Sequence, residues 1–295
     1  MTPTVVDVVR LSCGDAVDPY GIAAAGDGAL WVTHGGGIVR IAADGSVRAH
    51  PTEPGARPAA VTVAPDGSAW FTRTGDDRIT AVRPDGTTDT VTLDTGSGPF
   101  GICVGPDGAV WFTASGTHRV GCVTADGRVS TVDLPDGCFP AYLTAGPDGA
   151  VWVALNGADA LARVGADGDV RIVELPTSGA APVGIAARGG ALWCAEIGAG
   201  RLGRVVPGVD VTEFALPDPA ARPHALAAGR HGCWFTSWAA NRVGHISDNG
   251  QIDEFALPPE LSEPHGITVT PDGTVWVALE AGDESGGAVI GLVVR

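Results

Sequence analysis

The chain has 295 residues, among them 44 glycines and 22 prolines, and 44% of it is hydrophobic. So much glycine and proline argues against a helical architecture. A formal charge of −16 excludes non-specific attraction to nucleic acid or to anionic membrane. With no long apolar span and no basic, apolar leader, a soluble cytoplasmic protein is expected.

The first element in chain order is a short β-type run at residues 5–11. It resembles strands found much later, such as residues 131–134 and 254–257. Next comes the first copy of a pattern that recurs seven times: Pro-x-(Gly/Ala)-(Ile/Val/Leu), with Trp eleven or twelve residues on. The prolines are Pro19, Pro58, Pro99, Pro140, Pro182, Pro223 and Pro264, spaced by 39, 41, 41, 42, 41 and 41 residues. The tryptophans are Trp31, Trp70, Trp111, Trp152, Trp193, Trp234 and Trp276.

The third copy shows how one repeat is built. Residues 99–104 are apolar, Gly105-Pro106-Asp107-Gly108 is a turn, and residues 109–113 are aromatic and β-branched. A third run covers 120–123, Ala125-Asp126-Gly127 makes another turn, and 129–134 a fourth run. Proline fixes φ and glycine accepts positive φ, so these tripeptides set turns. Short runs between turns, with no 3.6-residue period, are strands. Four strands in each period of about 40 predict an all-β, seven-bladed β-propeller formed as one domain over residues 1–295. The tryptophans are expected to fill the space between blades. The seventh repeat ends after three strands, so residues 5–11 are expected to supply its fourth and close the ring, removing an open sheet edge. None of the six cysteines has CxxC spacing, and they read as buried free thiols.

The residue after each proline occupies the same place in every repeat. It is Tyr20, Ala59, Phe100, Ala141, Val183, His224 and His265. A lone rim histidine or tyrosine is ordinarily a surface residue. Two histidines in adjacent repeats, with apolar residues at four of the matching places, point to function. In a hairpin the start of the first strand lies beside the end of the second. Counting outward from the turn near Asp272 places Glu263, His265 and Glu280 at one mouth of the channel. The same count puts His224 near Thr236 and Ser237, and Tyr20 near His34. The result is a base, a hydrogen-bond donor and a pair of carboxylates suited to a hard metal. Trp238, outside the repeat, offers a ligand-stacking surface, and His34 is a weaker substrate contact.

The segments around these residues carry a resemblance. Asp18-Pro19-Tyr20-Gly21-Ile22, Arg222-Pro223-His224-Ala225-Leu226, Trp234-Phe235-Thr236-Ser237-Trp238, Glu263-Pro264-His265-Gly266-Ile267 and Trp276-Val277-Ala278-Leu279-Glu280 resemble the virginiamycin B lyase (streptogramin B lyase) family. The resemblance covers essentially the whole chain. It implies a carbon–oxygen lyase acting on a small cyclic depsipeptide antibiotic, opening its ester by Mg²⁺-dependent β-elimination and giving resistance. Tyr20, His224 and His265 match the family's catalytic residues, and Glu263 and Glu280 its glutamates. His265, flanked by the glutamates, is expected to be the base, with His224 and Tyr20 positioning the substrate or protonating the leaving group. A monomer is expected. The chain departs from the family at Ser237, where glutamate is expected, and at Arg73, Ala114 and Leu155; these changes bear on substrate fit. Two other classes fit a propeller: a metal-dependent lactonase hydrolysing a different lactone, and a non-catalytic binding platform.

Overall fold

The computed structural model describes residues 4–9, 18–124, 127–281 and 288–293. Cys13, Ala125, Asp126 and residues 10 and 11 of the amino-terminal run lie outside them. The described residues form seven four-stranded antiparallel sheets, each in simple up-and-down order, with one 3₁₀ turn at Ser115–Thr117. This is the seven-bladed β-propeller that the repeat predicts.

Blade one comprises Ile22–Ala24, Leu30–His34, Gly37–Ile41 and Val47–Pro51. Blades two to five begin at Pro58, Pro99, Pro140 and Pro182. Blade six comprises Pro223–Ala228, Gly232–Ser237, Arg242–Ser247 and Ile252–Ala256. Blade seven takes Ser262–Val269, Val275–Ala281 and Ala288–Val293 from the carboxyl end of the chain. In the same sheet, Thr4–Val9 pairs antiparallel with Ala288–Val293, Val8 opposite Ile290. The first strands of neighbouring blades touch all the way round, blade seven against blade one included.

The core is divided among the blade boundaries. Trp111 of blade three packs with Leu143, Val151 and Val153 of blade four. Trp234 of blade six packs with Ile267, Val275 and Val277 of blade seven. Every other boundary repeats the arrangement, ending with Trp276 against Ile22 and Leu30 of blade one. Burying such an aromatic contributes roughly 4–6 kcal/mol before ordering entropy is subtracted. The tryptophans therefore hold blade to blade, as expected from their period.

A second bond joins the blades. The hydroxyl of Thr33, Thr72, Thr113 or Thr236 accepts from an N–H in, or for Thr33 just before, the first strand of its own blade. The same hydroxyl donates to the carbonyl of the post-proline residue in the next blade: Ala59, Phe100, Ala141 and His265. Cys122, Cys138, Cys194 and Cys233 are buried, Cys103 is half-buried, and all five are free thiols.

Candidate active site

In blades two to seven the first strand contains a bulge. The ladder register shifts between the proline and the third residue beyond it, for instance between Pro223 and Leu226 and between Pro264 and Ile267. The residue before each of these prolines has positive φ: Arg57, Gly98, Phe139, Ala181, Arg222 and Glu263 at 44–57°. For the non-glycine residues this geometry carries strain on the order of 1 kcal/mol. It is held by a hydrogen bond across the hairpin, such as Trp238 N–H to Arg222 O at 3.1 Å. Left-handed residue, proline and bulge together turn the chain at the channel mouth.

Two of these turns, in blades six and seven, bring His224 and His265 together with Tyr20 of blade one. The Tyr20 and His265 rings lie 4.7 Å apart, and the His224 and His265 rings 5.1 Å apart, nearly perpendicular. The Tyr20 hydroxyl is 3.5 Å from His224 Nε2. Thr236 Oγ1 holds the His265 carbonyl at 2.8 Å. Gly266 N–H donates to Tyr20 O at 2.9 Å, an approach that requires glycine, since a Cβ there would stand 2.5 Å from that oxygen.

Glu263 and Glu280 complete the group. Ser262 pairs with Ala281 and Pro264 with Leu279, which sets Glu263 across from Glu280. Ligating atoms of Glu263, His265 and Glu280 all lie within 4.8 Å of one another. His265 Nε2 is 2.5 Å from Glu280 Oε2, yet neither buried ring nitrogen makes an aligned hydrogen bond. The structure thus brings together the two carboxylates and the histidine that the hairpin count placed at one mouth.

Burial sets the protonation states. It pushes His224 down to about 3, helped by repulsion from His265. It pushes His265 down to about 4, against the pull of Glu263. Burial, then the Glu280 charge, raises Tyr20 to about 12, while a hydrogen bond with Tyr142 works the other way. Burial and the charge of Asp18 raise Glu280. At neutral pH the mouth therefore presents two unprotonated imidazoles and a protonated phenol.

Trp238 joins the cluster, its ring 6.4 Å from His265 and covered by the Arg222 guanidinium at 5.6 Å. His34 does not join it. It is buried in blade one, where its Nδ1 accepts from Gly36 N–H at 3.2 Å. Ser237 is also fully buried, in the neighbourhood of Glu254. Arg73, at the equivalent place in blade two, is buried and held by Asp76 and Glu53. The departures at Ser237 and Arg73 thus fall inside blades. Glu196, the glutamate at that place in blade five, is fully buried with neither oxygen hydrogen-bonded. Burial and then Glu213 raise it to about 8.

Sequence reasoning missed Tyr142 and Phe100. The Tyr20 ring lies 6.2 Å from Phe100, which lies 5.2 Å from Tyr142, which lies 6.2 Å from His224. The signal was available: Tyr142 stands two residues after Pro140, where other repeats carry glycine or alanine.

Fold and cluster define a class: a propeller with an acid–base group and a carboxylate pair at one end of its channel. The sequence profile of the virginiamycin B lyase family matches residues 7–285, and the chain belongs to that family, which makes its role that of a lyase in antibiotic resistance. A streptogramin B lyase structure is 36% identical, with a TM-score of 0.92 and coverage of 98% of this chain and 97% of that one. A catalytically inactive His-to-Ala variant of virginiamycin B lyase from Staphylococcus aureus, solved with Quinupristin, is 33% identical, with a TM-score of 0.91 and coverage of 98% and 99%. A virginiamycin B lyase from Mycolicibacterium vanbaalenii is 57% identical over 65 residues, which span 21% of this chain and 22% of that relative.

Proposed function

We propose that this protein linearises streptogramin B antibiotics by β-elimination at the ring-closing ester. The observation that carries the reading is the convergence of two unprotonated imidazoles, a phenol and two carboxylates at one mouth. The relative solved with Quinupristin supports the substrate class.

Elimination removes a proton from the carbon α to a carbonyl. The C–H electrons form a carbon–carbon double bond, and the ester C–O bond breaks with release of a carboxylate. His265 takes that proton; burial keeps the imidazole free to accept it. A positioned general base is worth about 10²–10⁴-fold. His224 and Tyr20 orient the depsipeptide, the phenol being a donor throughout the neutral range. Trp238 gives an apolar face for the substrate ring beside the base.

The Glu263, His265 and Glu280 donors fit a divalent cation, and two carboxylates suit Mg²⁺, which prefers oxygen ligands and keeps several waters. Glu263 and Glu280 would hold it, and when bound it supplies Lewis acidity that polarises a substrate carbonyl.

The test is to incubate the protein with quinupristin and Mg²⁺ and weigh the linear product. Elimination leaves the mass of the cyclic substrate unchanged. A product heavier by one water means hydrolysis and sinks the reading.

A further inference from the structure

We infer that Phe139, on the rim of blade four, is a substrate contact that sets specificity: it takes an apolar side chain of the cyclic depsipeptide while the ester lies at His265. This role rests on the lyase reading and names the far wall of the same mouth. Phe139 stands immediately before Pro140, the place that Glu263 holds in blade seven and Arg222 in blade six. Those two residues show where the place sits. Glu263 reaches His265 and Glu280, and the Arg222 guanidinium covers Trp238. The turn in blade four is the same: Phe139 O accepts from Asn156 N–H at 3.1 Å, as Arg222 O accepts from Trp238 N–H. Phe139 is therefore on the rim that carries the cluster.

Two costs attach to a phenylalanine here. It is 52% exposed, and among the described residues it is the one exposed aromatic. Its φ of 44° is a left-handed conformation that strains a bulky residue. Blade three meets the same turn with Gly98, which is free of that strain. A single exposed apolar side chain is ordinary on a protein surface. An aromatic held on a strained turn beside an acid–base cluster is not. The matching places in blades three and five hold Gly98 and Ala181, and the post-proline residue of blade four is Ala141, so small residues surround the ring. Phe100, the post-proline residue of blade three, adds a half-buried ring 6.2 Å from Tyr20. In a ring of seven, blades three and four are the two farthest from blade seven. The mouth is thus polar along blades six, seven and one and aromatic on the opposite side. A macrocycle lying across it meets both.

Phe139→Ala should raise KM for quinupristin about 10-fold at unchanged kcat, the mark of a contact made equally in the ground and transition states. Its Tm should not fall, since little packing is lost and strain is relieved. Phe139→Tyr, which keeps the ring, should hold KM near the wild-type value. Ile172→Ala removes another exposed apolar side chain, on the outer strand of the same blade, and should leave both constants unchanged. In a His265→Ala background, where binding is read without turnover, adding Phe139→Ala should weaken quinupristin binding by the same factor. Unchanged KM and binding in Phe139→Ala, or an equal loss from Ile172→Ala, overturns the role of Phe139 and leaves the lyase reading standing. A wild type that binds quinupristin without turning it over removes the lyase reading, and weaker binding in Phe139→Ala still carries the contact. A wild type that does neither removes both.

Discussion

Blades two to four and blades six and seven put the same place in the repeat to opposite uses. Four residues after the repeat tryptophan, blades two to four carry Thr74, Ser115 and Asn156. Each donates to a carbonyl at the start of the next blade: Pro99 O, Pro140 O and Ala181 O. Blades six and seven carry Trp238 and Glu280 there, and both turn to His265 instead. The post-proline place divides the same way, with Ala59, Phe100, Ala141 and Val183 against His224, His265 and Tyr20. Part of the ring spends its rim side chains on joining blades, and part spends them on the mouth. The teaching is that a site appears where a structural bond has been given up and the remaining contacts, tryptophan packing above all, still hold the boundary.

The sharpest way to break this contrast is to remove the rim histidines. His265→Ala should lower kcat/KM for a streptogramin B by about 10²–10⁴-fold or more, and His224→Ala should also be severe. His50→Ala and His118→Ala, away from the mouth, should change kcat/KM little. Comparable losses from all four would dissolve the distinction. Next in size is a pair at one repeat place. Glu280→Gln should reduce activity on the order of 10²-fold and raise the Mg²⁺ concentration needed. Asn156→Ala should leave turnover intact and lower stability by about 1 kcal/mol, the worth of its bond to Ala181 O. Full activity of the wild type after exhaustive chelation would remove the metal role.

A smaller effect separates the two threonine brackets. Thr236→Val and Thr72→Val each strand a buried N–H and a carbonyl, so both should lose about 2 kcal/mol in denaturant unfolding. Thr236→Val alone should also slow turnover, on the order of 10-fold, because its partner is the His265 carbonyl. Equal kinetics for the two would mean that the bracket does not position the base.

The smallest effect concerns Glu196. Its folded value is raised from 4.5 to about 8, so between those values the folded state binds more protons than the unfolded state. The stability tied to the neutral carboxyl is present below 4.5 and lost as pH rises toward 8. Glu196→Gln should therefore gain a few degrees in Tm over the wild type above about pH 8 and little near pH 4.5. A gain of the same size at both would sink this assignment.

The blade count, the tryptophan seams and the post-proline residues were legible because a repeat exposes its exceptions. Glu263 and Glu280 were legible because a hairpin brings its open ends together. The count was one residue off, however: Pro264 faces Leu279, not Glu280. The bulge is the reason, since it inserts an unpaired residue that a count from the turn cannot see. His34 and Ser237 were expected at the mouth because they end their strands, yet both are buried, and in blade six it is the next residue, Trp238, that reaches the cluster. Tyr142 stayed hidden because its ring neighbours, Phe100 and His224, are distant in sequence, and nothing local records those contacts.

That same bulge has an engineering consequence. In blades two to seven the residue it sets free is a station whose tenant can change without rewriting the ladder on either side. Ala59 and Val183 hold such stations with small or apolar tenants, each in a blade fastened by its own tryptophan seam. A ring of this kind can be refitted one station at a time, like a turret whose tools are exchanged while its bearings stay in place.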